Sequence, residues 1–335
     1  MNSKIVSVVL AGIIWMMVPD LQAATTWKHL TTAEGLPALQ VQFVKSLGAD
    51  VWVGTLGGLT VFRDGKPEAV LKGEAVWDVL PVSGGGVWIG TDKGIVFQNG
   101  TVSARYLEGE AVGRIVPFGT NTIWAIFKTR DSSRLMEFKD GKWQAVSRFA
   151  RLKPADLFVT RSGAVWVLLE ANGVVLATPG QAPEQWKPHQ QGVNLTSFCE
   201  DKQGRVWCGT WDRGVMYFDN GEWKRMMNNI GSVITAVRQD GKGHMWLATN
   251  SSGVWEYDGA NWVNYLNDEG SINMMETTVD GKLYVSSQSE CSLRLWNGTA
   301  WDKILDVPTM FITVQLDAKG KIWAGNILDG VYVQP

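Results

Sequence analysis

Trp211 stands in the short segment "TWDRG", directly before Asp212 and Arg213. An exposed indole can stack on a sugar or on an aromatic ligand, and the two flanking charges would fix the orientation of that ligand. The alternative is an aromatic side chain that folds over the neighbouring structural unit. Trp211, Asp212 and Arg213 are therefore the first candidates for a ligand-binding site.

Charged residues occupy similar short segments elsewhere in the chain. Each is a weak candidate alone, because charged side chains in loops are commonly only solvated. The further candidates for the same ligand-binding face are Arg130, Asp92, Lys93, Glu170, His189 and Glu290.

The residues that could bind a metal do not form a pattern. The three histidines, His29, His189 and His244, are not spaced as zinc ligands usually are. The turns "DKQG", "DGKG" and "DAKG" resemble calcium loops superficially, but they lack the alternating oxygen ligands of such loops. The Asp and Gly residues of these segments are better explained by the requirements of tight turns. We predict neither a metal nor another cofactor.

Cys199 and Cys208 lie in the stretch "SFCEDKQGRVWCGT", on the two arms of one expected hairpin. A cross-strand disulfide between them is one interpretation, provided that the compartment is oxidising. Two small buried thiols beside Trp207 are the other. Cys291 is left over and is expected to be free.

These candidates belong to a repeat. A strand-like element with an aromatic residue recurs at intervals of 36, 36, 42, 41, 39, 38 and 39 residues. Each copy reads as four short strands: an alternating apolar run, a turn with Asp and Gly, "VWxGT" or a variant, a Gly-Val element, and a last segment that often begins with Trp. The recurring aromatic residues are Trp52, Trp88, Trp124, Trp166, Trp207, Trp246, Tyr284 and Trp323.

Four antiparallel strands in about 40 residues are typical of one propeller blade. The sequence therefore predicts an all-β fold, an eight-bladed β-propeller of four-stranded antiparallel blades. Most tryptophans then pack between blades. The candidate site residues fall in loops between second and third strands or between blades, which form one face of the ring.

The two ends of the pattern complete each other. The last copy stops after a third strand in "DGVYVQP", residues 329–335, and the segment "TTWKHLTT", residues 25–32, resembles an isolated fourth strand. Joining them closes the ring and leaves no open sheet edge. Seven blades are the alternative, but one copy would then have to be discarded.

The extreme N-terminus has the pattern of a secretory signal peptide. Lys4 precedes an apolar run over residues 5–18, and a small residue, Ala23, stands at the expected cleavage position. A membrane anchor is the alternative, but fourteen apolar residues are few for about 30 Å of hydrocarbon. We predict a signal peptide over 1–23, a single propeller domain over 24–335, a location in the periplasm or outside the cell, and no stable membrane insertion after cleavage.

Bulk composition excludes some partners. The 335 residues have a formal charge of −2, with 45% hydrophobic and 19% charged residues. This is the composition of a globular protein without a basic surface, so we expect no nucleic-acid partner.

The repeat resembles the two-component-regulator propeller family. The segments that carry the resemblance are 31–62, 201–223, 240–262 and 317–333, with the pattern Asp-x-x-Gly-x-x-Trp-x-Gly-Thr followed by Gly-Val or Gly-Leu. The resemblance covers essentially all of 25–335 and is diluted at 113–187 and 272–305. Such repeats occur in periplasmic regions of sensor kinases, so it implies recognition of an extracellular cue, often a glycan fragment.

Three functions follow as alternatives. The first is a non-catalytic, sensor-like ring that binds a small molecule or glycan on its loop face. The second is a protein-interaction scaffold in an envelope complex. The third, which we favour least, is an enzyme similar to streptogramin lyase, which needs a histidine base in a concave pocket. His189 with Glu170 as neighbour is the one pair suited to that role. Because no kinase core follows the repeats in this sequence, signalling would require a partner.

Overall fold

The computed structural model describes residues 26–129, 131–170, 173–190, 192–227 and 232–334. These residues form 32 β-strands in eight four-stranded sheets, with two short 3-10 helices, Ser147–Phe149 and Pro183–Gln185. The sheets are the blades of a propeller, as predicted. The predicted signal peptide and Arg130 lie outside the described residues.

Strand bounds in the first half of the ring are as follows. Blade 1 contains β2 (Val41–Leu47), β3 (Asp50–Thr55), β4 (Gly58–Arg63) and β5 (Lys66–Lys72). Blade 2 contains β6 (Val76–Pro81), β7 (Val87–Thr91), β8 (Gly94–Asn99) and β9 (Val102–Tyr106). Blade 3 contains β10 (Ala111–Phe118), β11 (Thr122–Lys128), β12 (Ser133–Lys139) and β13 (Lys142–Ala145). Blade 4 contains β14 (Pro154–Val159), β15 (Val165–Leu169), β16 (Val174–Ala177) and β17 (Lys187–His189).

The second half continues the pattern. Blade 5 contains β18 (Leu195–Glu200), β19 (Val206–Thr210), β20 (Val215–Asp219) and β21 (Glu222–Met227). Blade 6 contains β22 (Ile234–Gln239), β23 (Met245–Thr249), β24 (Val254–Tyr257) and β25 (Trp262–Tyr265). Blade 7 contains β26 (Ile272–Thr277), β27 (Leu283–Ser287), β28 (Ser292–Trp296) and β29 (Trp301–Asp306). Blade 8 contains β30 (Phe311–Leu316), β31 (Ile322–Asn326), β32 (Val331–Gln334) and β1 (Lys28–Leu30).

The ring closes as predicted, and the seven-blade alternative is wrong. Strand β1 pairs antiparallel with β32, so the N-terminal strand completes the blade that the C-terminal strands begin. The closing pair is reinforced by His29, whose ring stacks on Tyr332 with centroids 4.4 Å apart. Its Nε2 also lies 2.6 Å from the backbone oxygen of Asp329. Sheet pairing and stacking therefore fasten the two ends of the ring.

The Asp-x-x-Gly-x-x-Trp spacing has a physical cause. In blade 5, Oδ1 of Asp201 accepts the backbone N–H groups of Gln203 and Arg205, which closes the turn. Its Oδ2 accepts the indole N–H of Trp207 at 2.7 Å. Because one carboxylate satisfies both the turn and a fully buried indole, the residues must keep this spacing. Asp240 with Trp246 and Asp317 with Trp323 repeat the arrangement.

The Gly-Thr pair after the aromatic residue serves packing and loop closure. A Cβ on Gly209 would lie 2.6 Å from Cγ2 of Ile234, so the glycine lets the next blade approach. The hydroxyl of Thr210 donates to the backbone oxygen of Gly214 at 2.7 Å and accepts the N–H of Arg213. The repeat therefore encodes both the distance between blades and the shape of the loop above them.

The Cys199–Cys208 disulfide is wrong. In the register of β18 and β19, Cys199 is opposite Trp207, and Cys208 is opposite Phe198. Successive side chains of a strand point to opposite faces, so the two thiols lie on opposite faces of blade 5. Both cysteines are free, and burial raises the pKa of each thiol. The interpretation as small buried thiols is the better one.

Among the described residues, no helix has the length and apolarity that crossing a membrane requires.

Every first strand carries a β-bulge near its start, and neighbouring first strands pack around the central channel. We call the end of the channel at which these strands begin the loop face, and the opposite end the turn face. The bulge leaves one residue of each first strand unpaired, which can point a side chain into the channel. In blade order these residues are Gln42, Trp77, Gly113, Ala155, Thr196, Thr235, Asn273 and Ile312.

Candidate ligand site at the channel mouth

A cavity of about 560 Å³ opens between the first strands of blades 1 to 4. Four of the bulged residues, Gln42, Trp77, Gly113 and Ala155, line it. We call it the channel-mouth cavity. Its volume falls within the range of about 300–1,000 Å³ that is common for small-molecule pockets.

Trp77 is the main apolar feature of this cavity. Among the described residues it is the one tryptophan on a first strand, and 38% of it is exposed. The tryptophans of the second strands, such as Trp207 and Trp246, are fully buried between blades. The bulge in β6 holds Trp77 towards the channel, so its indole is available to a ligand.

The sequence reasoning missed Trp77. A usable signal was present, because the apolar run that opens each repeat contains a tryptophan in blade 2 alone. Placing it required knowledge of the bulge, which shifts the inward-facing position by one residue.

Ion pairs between neighbouring blades form the polar wall below the mouth. Asp78 is 2% exposed and pairs with Lys45 of blade 1. Its carboxylate also accepts the backbone N–H groups of Val79 and of Ile115 in blade 3, both at 2.9 Å. Asp78 therefore joins three blades.

Arg114 and Asp156 connect blades 3 and 4 in the same wall, with Nε and Oδ1 2.9 Å apart. Burial alone would lower the pKa of the Arg114 guanidinium, but the charge of Asp156 and its hydrogen bond raise it above the ordinary value. The Arg114 guanidinium therefore stays charged throughout the physiological pH range.

Two charged groups of the cavity lack a partner of opposite charge among the described residues. Lys128 ends β11, and among the described residues its side chain makes no ion pair or hydrogen bond. Asp92, the residue after β7, accepts the backbone N–H of Ala75 at 2.9 Å and forms no direct ion pair there, although its charge contributes to the raised pKa of Arg105. Both are exposed, so the cavity offers one free ammonium group and one partly used carboxylate.

The channel continues towards the turn face through a second cavity of about 600 Å³. Its wall contains two more ion pairs between neighbouring blades, Arg161 with Glu200 and Arg238 with Glu276. No tryptophan lines it. The exposed indole of the channel is thus confined to the mouth.

Trp211, Asp212 and Arg213 occupy the predicted loop above blade 5, outside the channel-mouth cavity. Trp211 is 61% exposed, and its backbone N–H donates to the oxygen of Asn194. The Arg213 guanidinium donates to the oxygen of Gly192 at 3.3 Å. Trp211 is therefore presented on the loop face but stands apart from the pocket.

The remaining predicted residues are dispersed over that face. Lys93 donates through its ammonium group to the oxygen of Gly73 at 2.7 Å. Glu290 pairs with Lys303 at 2.7 Å and with Arg294 at 3.1 Å, and the hydrogen bond from Lys303 is the main reason why its pKa is lowered. Glu170 is exposed. Of the predicted set within the described residues, Asp92 alone lines the channel-mouth cavity.

His189 does not occupy a concave site. It ends β17 and packs against Trp166, Phe218 and Trp223, with ring centroids 5.3 to 6.3 Å away. Burial, and secondarily the charge of Lys187, lower its pKa. Among the described residues no carboxylate bonds to it, so the structure does not pair His189 with Glu170 as the lyase hypothesis expects.

Asp240, His244 and Glu256 on the turn face bring their ligand-type atoms within 4.8 Å of one another. These atoms are already engaged in one hydrogen-bond network. Both oxygens of Asp240 hold the turn and Trp246, and Glu256 contacts His244 Nδ1 at 2.6 Å and accepts the hydroxyl of Tyr265 at 2.9 Å. The cluster therefore stabilises the turn of blade 6.

The predicted family resemblance is confirmed in one repeat. The family model described as "Two component regulator propeller" matches residues 190–212. This segment contains β18, β19 and the start of the Trp211 loop. A comparison with curated proteins gave no match.

Solved structures share the fold. A catalytically inactive virginiamycin B lyase from Staphylococcus aureus, solved with quinupristin, is 10% identical, with a TM-score of 0.56 over 78% of this chain and 95% of the lyase. PorZ, a surface component of the type-IX secretion system of Porphyromonas gingivalis, is 12% identical, with a TM-score of 0.57 over 90% of this chain and 47% of PorZ. YCF48 bound to D1 peptide is 11% identical, with a TM-score of 0.56 over 90% of this chain and 98% of YCF48. At these identities the likeness shows the propeller fold and nothing finer.

Proposed function

We propose that this protein is a non-catalytic recognition propeller that binds a small molecule or a glycan in the channel-mouth cavity. The observation that carries the proposal is the partly exposed indole of Trp77 in a cavity of about 560 Å³. Leaving a large aromatic surface exposed to water is unfavourable, and the tryptophans of the second strands are covered by neighbouring blades. An indole left open inside a concave, polar-walled pocket is suited to stacking on a ring.

The polar wall supports binding in a fixed orientation. Asp78 and Asp156 are held by cations and by backbone N–H groups, so the wall is prearranged before a ligand arrives. A prearranged site loses less entropy on binding. The same pairing favours binding over turnover, because both carboxylates are already engaged as acceptors of ion pairs and hydrogen bonds.

We place this recognition outside the cytoplasm, in the periplasm or, after secretion, outside the cell. The signal-peptide pattern of residues 1–23 and the matched regulator-propeller repeat support this location.

A protein-interaction scaffold is the second candidate. It is favoured by large apolar side chains exposed on the loops between second and third strands: Leu56 at 43%, Trp211 at 61% and Leu328 at 54%. Exposed apolar groups on one face of a protein often mark contact with a partner. The likeness to YCF48, a propeller solved with a bound peptide, is compatible with this alternative.

Native mass spectrometry of the protein, purified gently from the periplasm, distinguishes the two candidates. We expect an additional mass of a few hundred daltons that is lost in Trp77→Ala and retained in Trp211→Ala. The second variant is the matched control, because it also removes an exposed indole from the loop face. A bound polypeptide that is lost in Trp211→Ala and retained in Trp77→Ala would contradict the small-ligand proposal and support the scaffold.

A further inference from the structure

We infer that the channel-mouth cavity selects ring-shaped ligands that carry one anionic group, such as an acidic sugar or an aromatic acid, and that Lys128 recognises this group. The inference rests on the proposed function, since it concerns the same cavity. It is carried by three features: the balance of charges in the wall, the position of Lys128, and the indole of Trp77.

One of the three basic residues that line the cavity is left without an ion pair within the described part of the chain. Lys45, Arg114 and Lys128 are the basic residues that line the cavity. Asp78 neutralises the first, and Asp156 neutralises the second. Lys128 has no ion pair or hydrogen bond among the described residues, so its charge is free for a ligand.

The ammonium group of Lys128 lies beside Gly113. A Cβ at Gly113 would lie 3.6 Å from Cε and 3.9 Å from Nζ of Lys128. The ammonium group therefore stands next to the position at which other first strands place the side chain of the bulged residue. A larger residue at 113 would compete with Lys128 for this space.

Asp92 limits the kind of anion that fits. Its carboxylate lines the same cavity and is exposed, so a ligand with several negative charges would be repelled there. Its oxygens can instead accept a hydroxyl or amino group of the ligand. One anionic group near Lys128 and hydrogen-bond donors near Asp92 therefore describe the expected ligand.

Trp77 supplies the requirement for a ring. Sugar rings and aromatic rings both present a flat face to an indole, and the bulge in β6 turns the indole towards the cavity. Acidic sugars and aromatic acids share these two features, a flat ring and a single anion.

Ligand-observed NMR with two matched pairs of probes tests the inference. The pairs are D-glucuronate with D-glucose, and benzoate with benzamide. We expect at least one acid to bind about tenfold more tightly than its neutral partner, as a charge-assisted hydrogen bond implies. Which acid binds distinguishes a sugar ligand from an aromatic one. Added salt should weaken binding of the acid more than binding of the neutral probe.

Two variants locate the charge. Lys128→Met keeps most of the aliphatic side chain and should abolish the preference for the acid. Lys139→Met is the matched control, because Lys139 is exposed at the opposite end of blade 3, and it should leave the preference unchanged.

The outcomes separate this inference from the proposed function. Equal binding of acid and neutral probe, with both lost in Trp77→Ala, would overturn the anion preference and leave the proposed function standing. A preference for the acid that persists in Lys128→Met would overturn the role of Lys128. Failure of both acids to bind at millimolar concentration would also overturn the inference, whereas the proposed function is decided separately by the mass measurement.

Discussion

Two parts of the channel wall use the same bulge for different purposes. In blades 5 to 7 the bulged residues Thr196, Thr235 and Asn273 donate to the backbone oxygen of the first residue of the next blade's first strand, at 2.6, 2.9 and 2.6 Å. We call these three residues the locked wall. In blades 2 to 4 the bulged residues are Trp77, Gly113 and Ala155, which we call the open wall.

The difference shows how a repeat acquires a site without a change of fold. The bulge is the same in all eight blades. Glycine and alanine have no side-chain donor, and among the described residues the Trp77 side chain makes no hydrogen bond to the next blade. The open wall therefore gives up hydrogen bonds between blades, and the channel-mouth cavity lies there. Departures from a local rule are expected at functional sites.

Asp78 should show the largest effect on stability, because it joins blades 1 to 3 below the cavity. Asp78→Ala leaves the Lys45 ammonium and two backbone N–H groups without their acceptor. We expect the free energy of unfolding to fall by about 3 kcal/mol, measured by urea denaturation.

Asp306→Ala is the control for this prediction, since the side chain of Asp306 is 66% exposed. It should change the free energy of unfolding by less than about 0.5 kcal/mol. Equal stability of the two variants would show that Asp78 does not hold blades 1 to 3 together.

Introducing a donor into the open wall, or removing one from the locked wall, should have an intermediate effect on stability. Gly113→Thr places a hydroxyl at the bulge of blade 3, where it can donate to the first strand of blade 4 as Thr235 does to Ile272. We expect a gain of up to about 1 kcal/mol in stability and a loss of the preference for acidic ligands, because the new side chain displaces Lys128.

Thr235→Val is the reverse change in the locked wall. It should lose about 1 kcal/mol of stability and leave ligand binding unchanged. Urea denaturation and ligand-observed NMR measure the two properties. If Thr235→Val reduced ligand binding as much as Gly113→Thr does, the functional distinction between the two walls would be wrong.

His189, at the junction of blades 4 and 5, should show the smallest effect on stability. This effect is a dependence of the stability on pH. Burial lowers the pKa of His189, so the unfolded chain takes up a proton more readily than the folded protein. The associated stability is complete above the unfolded pKa of about 6.5 and is lost as the pH falls through that value towards the lower folded pKa.

His189→Gln removes this titration. Between about pH 8 and about pH 5.5 its melting temperature should fall less than that of the wild type. Identical pH profiles would show that His189 does not couple protonation to the packing of Trp166 against Trp223.

The fold was predictable from the sequence because residues close together within each repeat determine the turns and the packing of that blade. The Asp201-to-Trp207 spacing encodes a turn and the burial of an indole, and the recurrence of the second-strand aromatic residue gives the number of blades. The segment around Lys28–Leu30 could be assigned to the last blade because that blade otherwise lacked a fourth strand.

The site was less predictable, because it depends on register and on relations between blades. The role of Trp77 depends on a bulge that no residue pattern marked, and the free charge of Lys128 depends on which neighbours pair with each other. The orientation of Cys199 and Cys208 likewise depends on a register that is one residue away from the one a disulfide requires. Trp211 was correctly placed in a loop, but exposure alone does not create a pocket.

The most direct test of the central claim is ¹⁹F NMR of the protein labelled with 5-fluorotryptophan, with the signals of Trp77 and Trp211 assigned by substitution to Phe. A low-molecular-weight extract of the periplasm is then added. We predict that the Trp77 signal shifts and the Trp211 signal does not. A shift of Trp211 with Trp77 unchanged would contradict the assignment of the channel-mouth cavity as the ligand site.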